Sequence, residues 1–294
     1  MFMGNRKCTV VLMGLAVSAL ALNVTTVPLA TANVVLPALP SGLLVNLESA
    51  NYDASTGVWT DTSGNGNNAS VANANNYNQL GSNGTPTLVT NATPNGSPAV
   101  AFTYNGNPAG TLGQSLGLTT ALSDNGGFTV FAYLLPSSTM ATANGGFVGG
   151  QVGSLEYRLE NTFHQDLLAE DSADLGSSST ALSDTSWNSI NVTAGSAGGY
   201  FRLNGSADGN TTSYATFNPI QVIGDGNVNG SEYFAGEIAG LQIYSGVLTT
   251  TDRQTVETYF TDLYVNAIPE PATLGLMAAM GAGLLLLGRK RQRT

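Results

Sequence analysis

Four small constellations in this sequence carry residue types capable of chemistry. The first is Glu156-Tyr157-Arg158-Leu159-Glu160. Two carboxylates facing one another are what glycoside cleavage needs, one as acid and one as base or nucleophile. Glu156 and Glu160 stand four residues apart on one strand face, roughly 13 Å, whereas the two known geometries work at roughly 5 to 10 Å. Arg158 between them holds both carboxylates ionised, which spoils the acid role. This face therefore reads as solvated and ion-paired, and no catalytic residue is assigned. The second is His164, the single histidine. Without a second histidine or a nearby cysteine it builds no zinc site, and no Gly-x-Ser-x-Gly elbow accompanies it. The third, Glu170, Asp171 and Asp174, reads as a solvated acidic turn on a Ser-rich loop, with a calcium site as the alternative. The fourth, Asp225-Gly226-Asn227-Val228-Asn229-Gly230, has the opening of a calcium loop, with Asp225, Asn227 and Asn229 as candidate ligands. The bidentate acid due at the twelfth position is replaced by Gly236, with Glu237 one place late. Calcium is the one cofactor this spacing admits, at a shallow site; a Gly/Asn hairpin loop is the plain alternative.

A different kind of signal lies at residues 267–294, AIPEPATLGLMAAMGAGLLLLGRKRQRT. Pro269-Glu270-Pro271 is a stiff, extended tripeptide. Ala272 to Gly288 follows without a charge, at the short end of a membrane-spanning helix. Arg289, Lys290, Arg291 and Arg293 close it with a basic cluster that favours the cytoplasmic side. In that order the three parts resemble the PEP-CTERM sorting signal of Gram-negative bacteria. The resemblance implies a membrane-embedded exosortase as partner, removal of the segment, and release to the cell envelope, cell surface or extracellular matrix. An ordinary C-terminal anchor is the alternative.

The other end agrees with export. Arg6 and Lys7 precede an apolar run from Cys8 to Leu22, and Ala30-Thr31-Ala32 offers a cleavage site before Asn33, the layout of a signal peptide over residues 1–32. An uncleaved N-terminal anchor is the alternative. Cys8 is the only cysteine, so the mature chain has no disulfide and stands on its core alone.

Between residues 33 and 266 the acids number eighteen against three arginines, Arg158, Arg202 and Arg253, and no lysine. Such a surface repels nucleic acid and anionic lipid and favours neutral or cationic partners. Residues 33–40 form a Pro-containing spacer, and residues 41–265 are long enough for one large domain.

That domain reads as many short strands between Gly/Asn-rich turns. Leu43, Val45 and Leu47 line one face of an opening strand. Trp59-Thr60-Asp61-Thr62-Ser63-Gly64-Asn65-Gly66-Asn67 brings one large aromatic, read as a core plug, into a tight loop that Asp61 ties to its own amides. Residues 71–98 read as surface loop with short edge strands. Phe128–Leu135 (FTVFAYLL) is apolar on both faces and so central in its sheet. Trp187–Val192 (WNSINV) and Tyr200–Asn204 (YFRLN) are strands, and Asn204-Gly205 is a strong hairpin turn. Tyr233–Tyr244 (YFAGEIAGLQIY) closes the sheets, with Ile238, Gln242 and Tyr244 on one face and Ala239, Leu241 and Ile243 on the other. Val256, Tyr259, Phe260 and Leu263 then recur at helical spacing, capped by Thr250 or Thr251.

The W-x-D-x-S-G-N-G-N opening, the F-T-V segment (with Tyr133 where tryptophan is frequent), the W-x-x-I-x-V strand and the closing Y-F-x-G run together resemble LamG-like, concanavalin A-like domains. The resemblance implies an all-β, antiparallel jelly-roll β-sandwich with a short helix near its C-terminal end, flanked by the signal peptide and the C-terminal hydrophobic helix. Jelly-roll glucanases carry their acids as E-x-D-x-x-E, and Arg158 breaks that pattern here. The chain accordingly reads as a secreted, non-catalytic surface or matrix protein binding carbohydrate or another envelope component. A glycan-cleaving hydrolase on the same fold and a purely structural coat protein are the alternatives. A surface aromatic beside free amides would mark the binding protein; two carboxylates roughly 5 to 10 Å apart in a groove would mark the hydrolase.

Overall fold

The alternating runs between Gly/Asn turns do fold as strands. The computed structural model describes residues 35–76, 84–104, 113–123, 126–142, 145–150, 156–160, 166–170, 174–213, 219–226 and 232–266. The segments 1–32 and 267–294, with Pro269, Glu270, Pro271, Arg289, Lys290, Arg291 and Arg293, lie outside the described residues. Among those described, no helix is long and apolar enough to cross a membrane.

The first strands are β1 (Leu43–Asp53), β2 (Val58–Asp61), β3 (Ala69–Ser70), β4 (Thr87–Val89), β5 (Ala99–Phe102) and β6 (Leu116–Leu122). Then come β7 (Gly127–Pro136), β8 (Gly145–Gly149), β9 (Glu156–Glu160), β10 (Asp166–Glu170) and β11 (Asp174–Ser177). The last are β12 (Asn188–Gly195), β13 (Tyr200–Leu203), β14 (Ser206–Gly209), β15 (Ile220–Ile223) and β16 (Gly236–Ser245). Among the described residues two α-helices complete the set, α1 (Val71–Asn76) and α2 (Thr250–Tyr264). The strands pair antiparallel in the order β11-β10-β9-β8-β15-β6-β3-β2-β1-β16-β7-β12-β13-β14, with β5 and β4 branching from β16. The two ends of that ladder meet. Thr212 N donates to Leu175 O at 2.6 Å and Ser179 N to Asp208 O at 2.7 Å. Each bond joins an end strand to a residue flanking the other, so the two ends lie against one another.

The result is an antiparallel β-sandwich. Its core draws Val45 and Leu47 from β1, Phe128, Val130, Ala132 and Leu134 from β7, and Ile190 and Val192 from β12. Leu116 and Leu118 of β6, Phe147 and Val148 of β8 and Ile220 and Ile223 of β15 meet them. β7 lies between β16 and β12, as its two apolar faces require. Phe131 and Tyr133, on its other face, are covered by Val256, Tyr259, Phe260 and Tyr264 of α2. That is why the strand is apolar on both sides: one face meets the sandwich and the other meets a helix.

Several expectations of strand and helix detail need correction. Ile238 packs with Leu241 and Ile243 in the sandwich core, not with Tyr244. Between Ile238 (opposite Leu134) and Gly240 (opposite Tyr133) the register slips, so Ala239 is an extra residue. A bulge of this kind flips the alternation after it. A second slip, between Leu43 and Val45, turns Leu43 toward the α2 side while Val45 and Leu47 face the core. The cap of α2 is Thr249, whose hydroxyl accepts from Asp252 N at 3.2 Å. Part of the stretch read as loop forms α1.

Candidate functional site

The opening loop behaves as its sequence demands. Trp59 is fully buried, its Nε1 donating to Glu48 O at 2.8 Å, which makes it a core plug. Asp61 Oδ1 accepts from Asn46 N and Ser63 N, and its Oδ2 from Asn67 N, each at 2.9 Å. Gly64 and Gly66 take φ of +92° and +73°, so the loop turns where only glycine does so without strain. Every polar group of Asp61 is thus spent on structure, leaving nothing there for a ligand.

The acids singled out in the sequence are arranged differently from their reading along the chain. Asp166–Glu170 and Asp174–Ser177 are strands, not a Ser-rich loop, and Asp171 lies outside the described residues. Across β9, β10 and β11 the register sets Glu156 opposite Glu170 and Glu170 opposite Asp174. Glu160 stands opposite Asp166, and Arg158 opposite Leu168. Neighbouring strands are about 4.8 Å apart, so acids remote along one strand become neighbours across three. A single-strand count could not show this. His164 lies outside the described residues.

Of the calcium-loop candidates, Asp225 alone is described; Asn227 and Asn229 are not. Asp225 is fully buried and forms an antiparallel bridge with Tyr233. Gly226 N donates to Glu232 O at 3.1 Å, binding the start of the loop into the sheet. Among the described residues no three His, Cys, Asp or Glu side chains stand close enough to share a metal ion.

An open feature of the described surface lies beside α2. This helix forms because Val256, Tyr259, Phe260 and Tyr264 recur on one side and bury against Phe131, Tyr133, Ala239 and Tyr244. Tyr133 stacks on two rings: Trp187 at 5.1 Å and 11°, and Tyr264 at 5.4 Å and 6°. Burial pushes the Tyr133 phenol up to about 12. Trp187 ends the stack, half-buried just before β12, and its Nε1 is fixed to Ala92 O at 3.0 Å. Across from it the β13–β14 hairpin turns at Asn204 (φ +51°) and Gly205 (φ +78°), both exposed.

Trp187, Asn204, Gly205, Glu257 and Thr261 line a hollow of about 320 Å³. A further hollow of about 690 Å³ shares Gly205, Glu257 and Thr261 with it and adds Gln254, Thr258, Asp262 and Asn266. Together they make one groove between α2 and the hairpin. Its wall is clamped by Glu257, whose Oε1 accepts from Arg202 Nε at 2.9 Å and Arg253 Nη1 at 2.7 Å. Arg202 Nη2 also donates to the Gly205 carbonyl, tying the turn to the helix. Asn204 Oδ1 accepts from Ser189 N, which leaves its amide NH2 as the group it presents. The Thr258 and Thr261 hydroxyls donate to Gln254 O and Glu257 O and so present oxygen lone pairs. Asn266 Nδ2 binds Asp262 Oδ1, leaving its amide oxygen.

Chemically the groove offers an aromatic ring, amides and hydroxyls. Such a set stacks against an apolar ring face and exchanges hydrogen bonds with hydroxyls. Sequence reasoning placed Trp187 in a strand and missed the groove, because its walls come from residues far apart in the chain. The legible hint was Tyr133, a polar-tipped aromatic on an otherwise apolar strand.

Residues 105–252 match the laminin G family described as the concanavalin A-like lectin/glucanases superfamily, just over half of the chain. Against curated protein sequences there is no significant match. Among solved structures, domain 4 of the extracellular arabinanase AbnA of Geobacillus stearothermophilus, in complex with arabinotriose, is 17% identical with a TM-score of 0.47. It covers 74% of this chain and 98% of its own. The binding domain of Paraclostridial Mosquitocidal Protein 1 is 13% identical with a TM-score of 0.51, covering 75% of this chain and 52% of its own. Trypanosoma rangeli sialidase is 14% identical with a TM-score of 0.49, covering 79% and 36%. The chain thus spans nearly all of the arabinanase domain, about half of the second protein and about a third of the third. At these identities the likeness is one of fold.

Proposed function

The chain belongs to the concanavalin A-like lectin/glucanase superfamily, and from that premise we propose that it is a non-catalytic, secreted surface or matrix protein that binds carbohydrate in the groove beside α2. One observation carries the reading: Trp187 stands half-buried at the edge of an open groove, beside amides and hydroxyls that keep part of their hydrogen-bonding capacity. A fold alone does not give a function; this pairing of an aromatic with hydroxyl-binding groups is what a sugar ring requires. The two ends of the sequence support export, by a signal peptide over residues 1–32 and an exosortase acting at Pro269-Glu270-Pro271, to the envelope of a Gram-negative bacterium.

A second reading, a glycan-cleaving hydrolase, draws on one observation. Glu156, Glu170 and Asp174 occupy opposite positions on neighbouring strands, which brings acids from three strands to one register. Incubating the protein with neutral polysaccharides and assaying new reducing ends separates the two. The non-catalytic reading expects none, and release abolished by Glu170→Gln would replace it with the hydrolase.

Carbohydrate binding itself is tested by a glycan array probed with the full-length protein, with calcium and again with chelator. Retention on one polysaccharide class is expected in both conditions. Loss on chelation would bring the Asp225 loop back as a calcium site. Silence from folded protein in both conditions would refute the reading and leave a structural coat role.

A further inference from the structure

We propose that the groove beside α2 holds an internal stretch of an uncharged, linear polysaccharide, rather than a chain end or an acidic glycan. This rests on the carbohydrate reading above and narrows it.

Shape argues for an internal stretch. Gln254, Thr258, Thr261 and Asn266 follow one another along α2 and its end, a row of roughly 18 Å at 1.5 Å per residue. That is long enough for several pyranose units. Gln254 at one end and Asn266 at the other are both solvent-exposed, so the row is open at each end. A site for a chain terminus needs a wall that stops the sugar, whereas both end residues of this row are exposed. Trp187 flanks the middle of the row, across from Thr261, where it stacks on one unit while the amides and hydroxyls bind its neighbours.

Charge argues for a neutral ligand. The groove is lined by two carboxylates, Glu257 and Asp262. The two arginines close by, Arg202 and Arg253, are both committed to Glu257 Oε1. Among the described residues a uronate or sulfate therefore finds no unpaired cation in the groove, and it meets a domain with eighteen acids against three arginines. Repulsion of this kind acts over the whole surface at low ionic strength.

Affinity electrophoresis of the full-length protein tests this, in gels containing galactomannan, xyloglucan or dextran as neutral probes and alginate or polygalacturonate as acidic ones. At least one neutral gel should retard the protein and neither acidic gel should. Oligosaccharides of that polymer, used as competitors, should gain strength with length over several units and then level off. Trp187→Ala should weaken retention about tenfold. Thr261→Arg, at an exposed helix position, should block it without touching the core, and so serves even if Trp187→Ala folds poorly. Retention in acidic gels, or full competition by a monosaccharide, would overturn the proposal. So would neutral binding unchanged in folded Thr261→Arg protein, and in these cases carbohydrate binding itself stands. Absence of retention in every gel together with a silent array would overturn both.

Discussion

The two tryptophans of this chain divide between core and surface. Trp59 has no exposed area and spends its N–H on Glu48 O, whereas Trp187 keeps part of its ring at the groove. Trp59→Ala should therefore cost about 3–5 kcal/mol of stability, read as a lower urea midpoint, without changing the ligand that the surviving fold selects. Asp61 is the polar counterpart. It receives three backbone N–H groups, so Asp61→Ala strands buried donors and should cost about 2–4 kcal/mol, while Asp61→Asn should recover part of that. Both roles were legible because Trp-x-Asp-x-Ser-Gly-Asn-Gly-Asn is a local pattern: the residues that bond are within a few positions of one another. Trp187 was legible as an aromatic but not as a groove wall. Its stacking partner Tyr133 and facing residues Asn204 and Thr261 arrive from three other parts of the chain.

At the scale of elements, α2 is held by an apolar face and one shared carboxylate. Glu257→Gln removes the charge that compensates both Arg202 and Arg253, the latter with its side chain only 9% exposed. A loss of about 1–3 kcal/mol is expected, measured by thermal unfolding, and the groove should weaken with it because its clamp is gone. The β16 strand gives a sharper test of packing. A Cβ built on Gly240 falls 2.4 Å from the Tyr264 hydroxyl, in the rigid interface between strand and helix. Gly240→Ala should accordingly destabilise by about 1–3 kcal/mol through overpacking, although an alanine suits a strand better than glycine does. The strands themselves were readable from alternation. What alternation could not give were the slips at Leu44 and Ala239, because a bulge is fixed by pairing with a partner strand that lies far away in the chain.

For the whole molecule, the ring-rich interior sets how the fold fails. Burial is the main cause that lifts the phenols of Tyr52, Tyr133 and Tyr233 to about 12, with Asp53 adding to Tyr52 and Asp225 and Tyr104 to Tyr233. Tyr244, Tyr259 and Tyr264 are raised further by the same desolvation. An unfolded tyrosine ionises near 10, so between about pH 10 and 12 the folded chain holds more protons than the unfolded one. Stability must then fall with rising pH in that window and be fully present below it. Melting temperature should be insensitive to tyrosine ionisation below about pH 9 and drop steeply from about pH 10; a flat profile to pH 12 would contradict this burial. The sandwich class was legible from the many short strands between Gly/Asn-rich turns. The approach of the two end strands was not, since the Leu175–Thr212 and Ser179–Asp208 contacts join segments with no complementary pattern in sequence.

The central claim, that carbohydrate binds against Trp187, is open to a direct optical test because the chain has two tryptophans and one is sealed in the core. In Trp59→Phe protein the indole emission comes from Trp187 alone. Titrating that variant with galactomannan, xyloglucan and dextran should give, for at least one of them, a saturable change in emission that Thr261→Arg abolishes. Retention of the same protein by a neutral polysaccharide gel, with Trp187 emission unmoved at saturation, would place the sugar elsewhere and contradict the account.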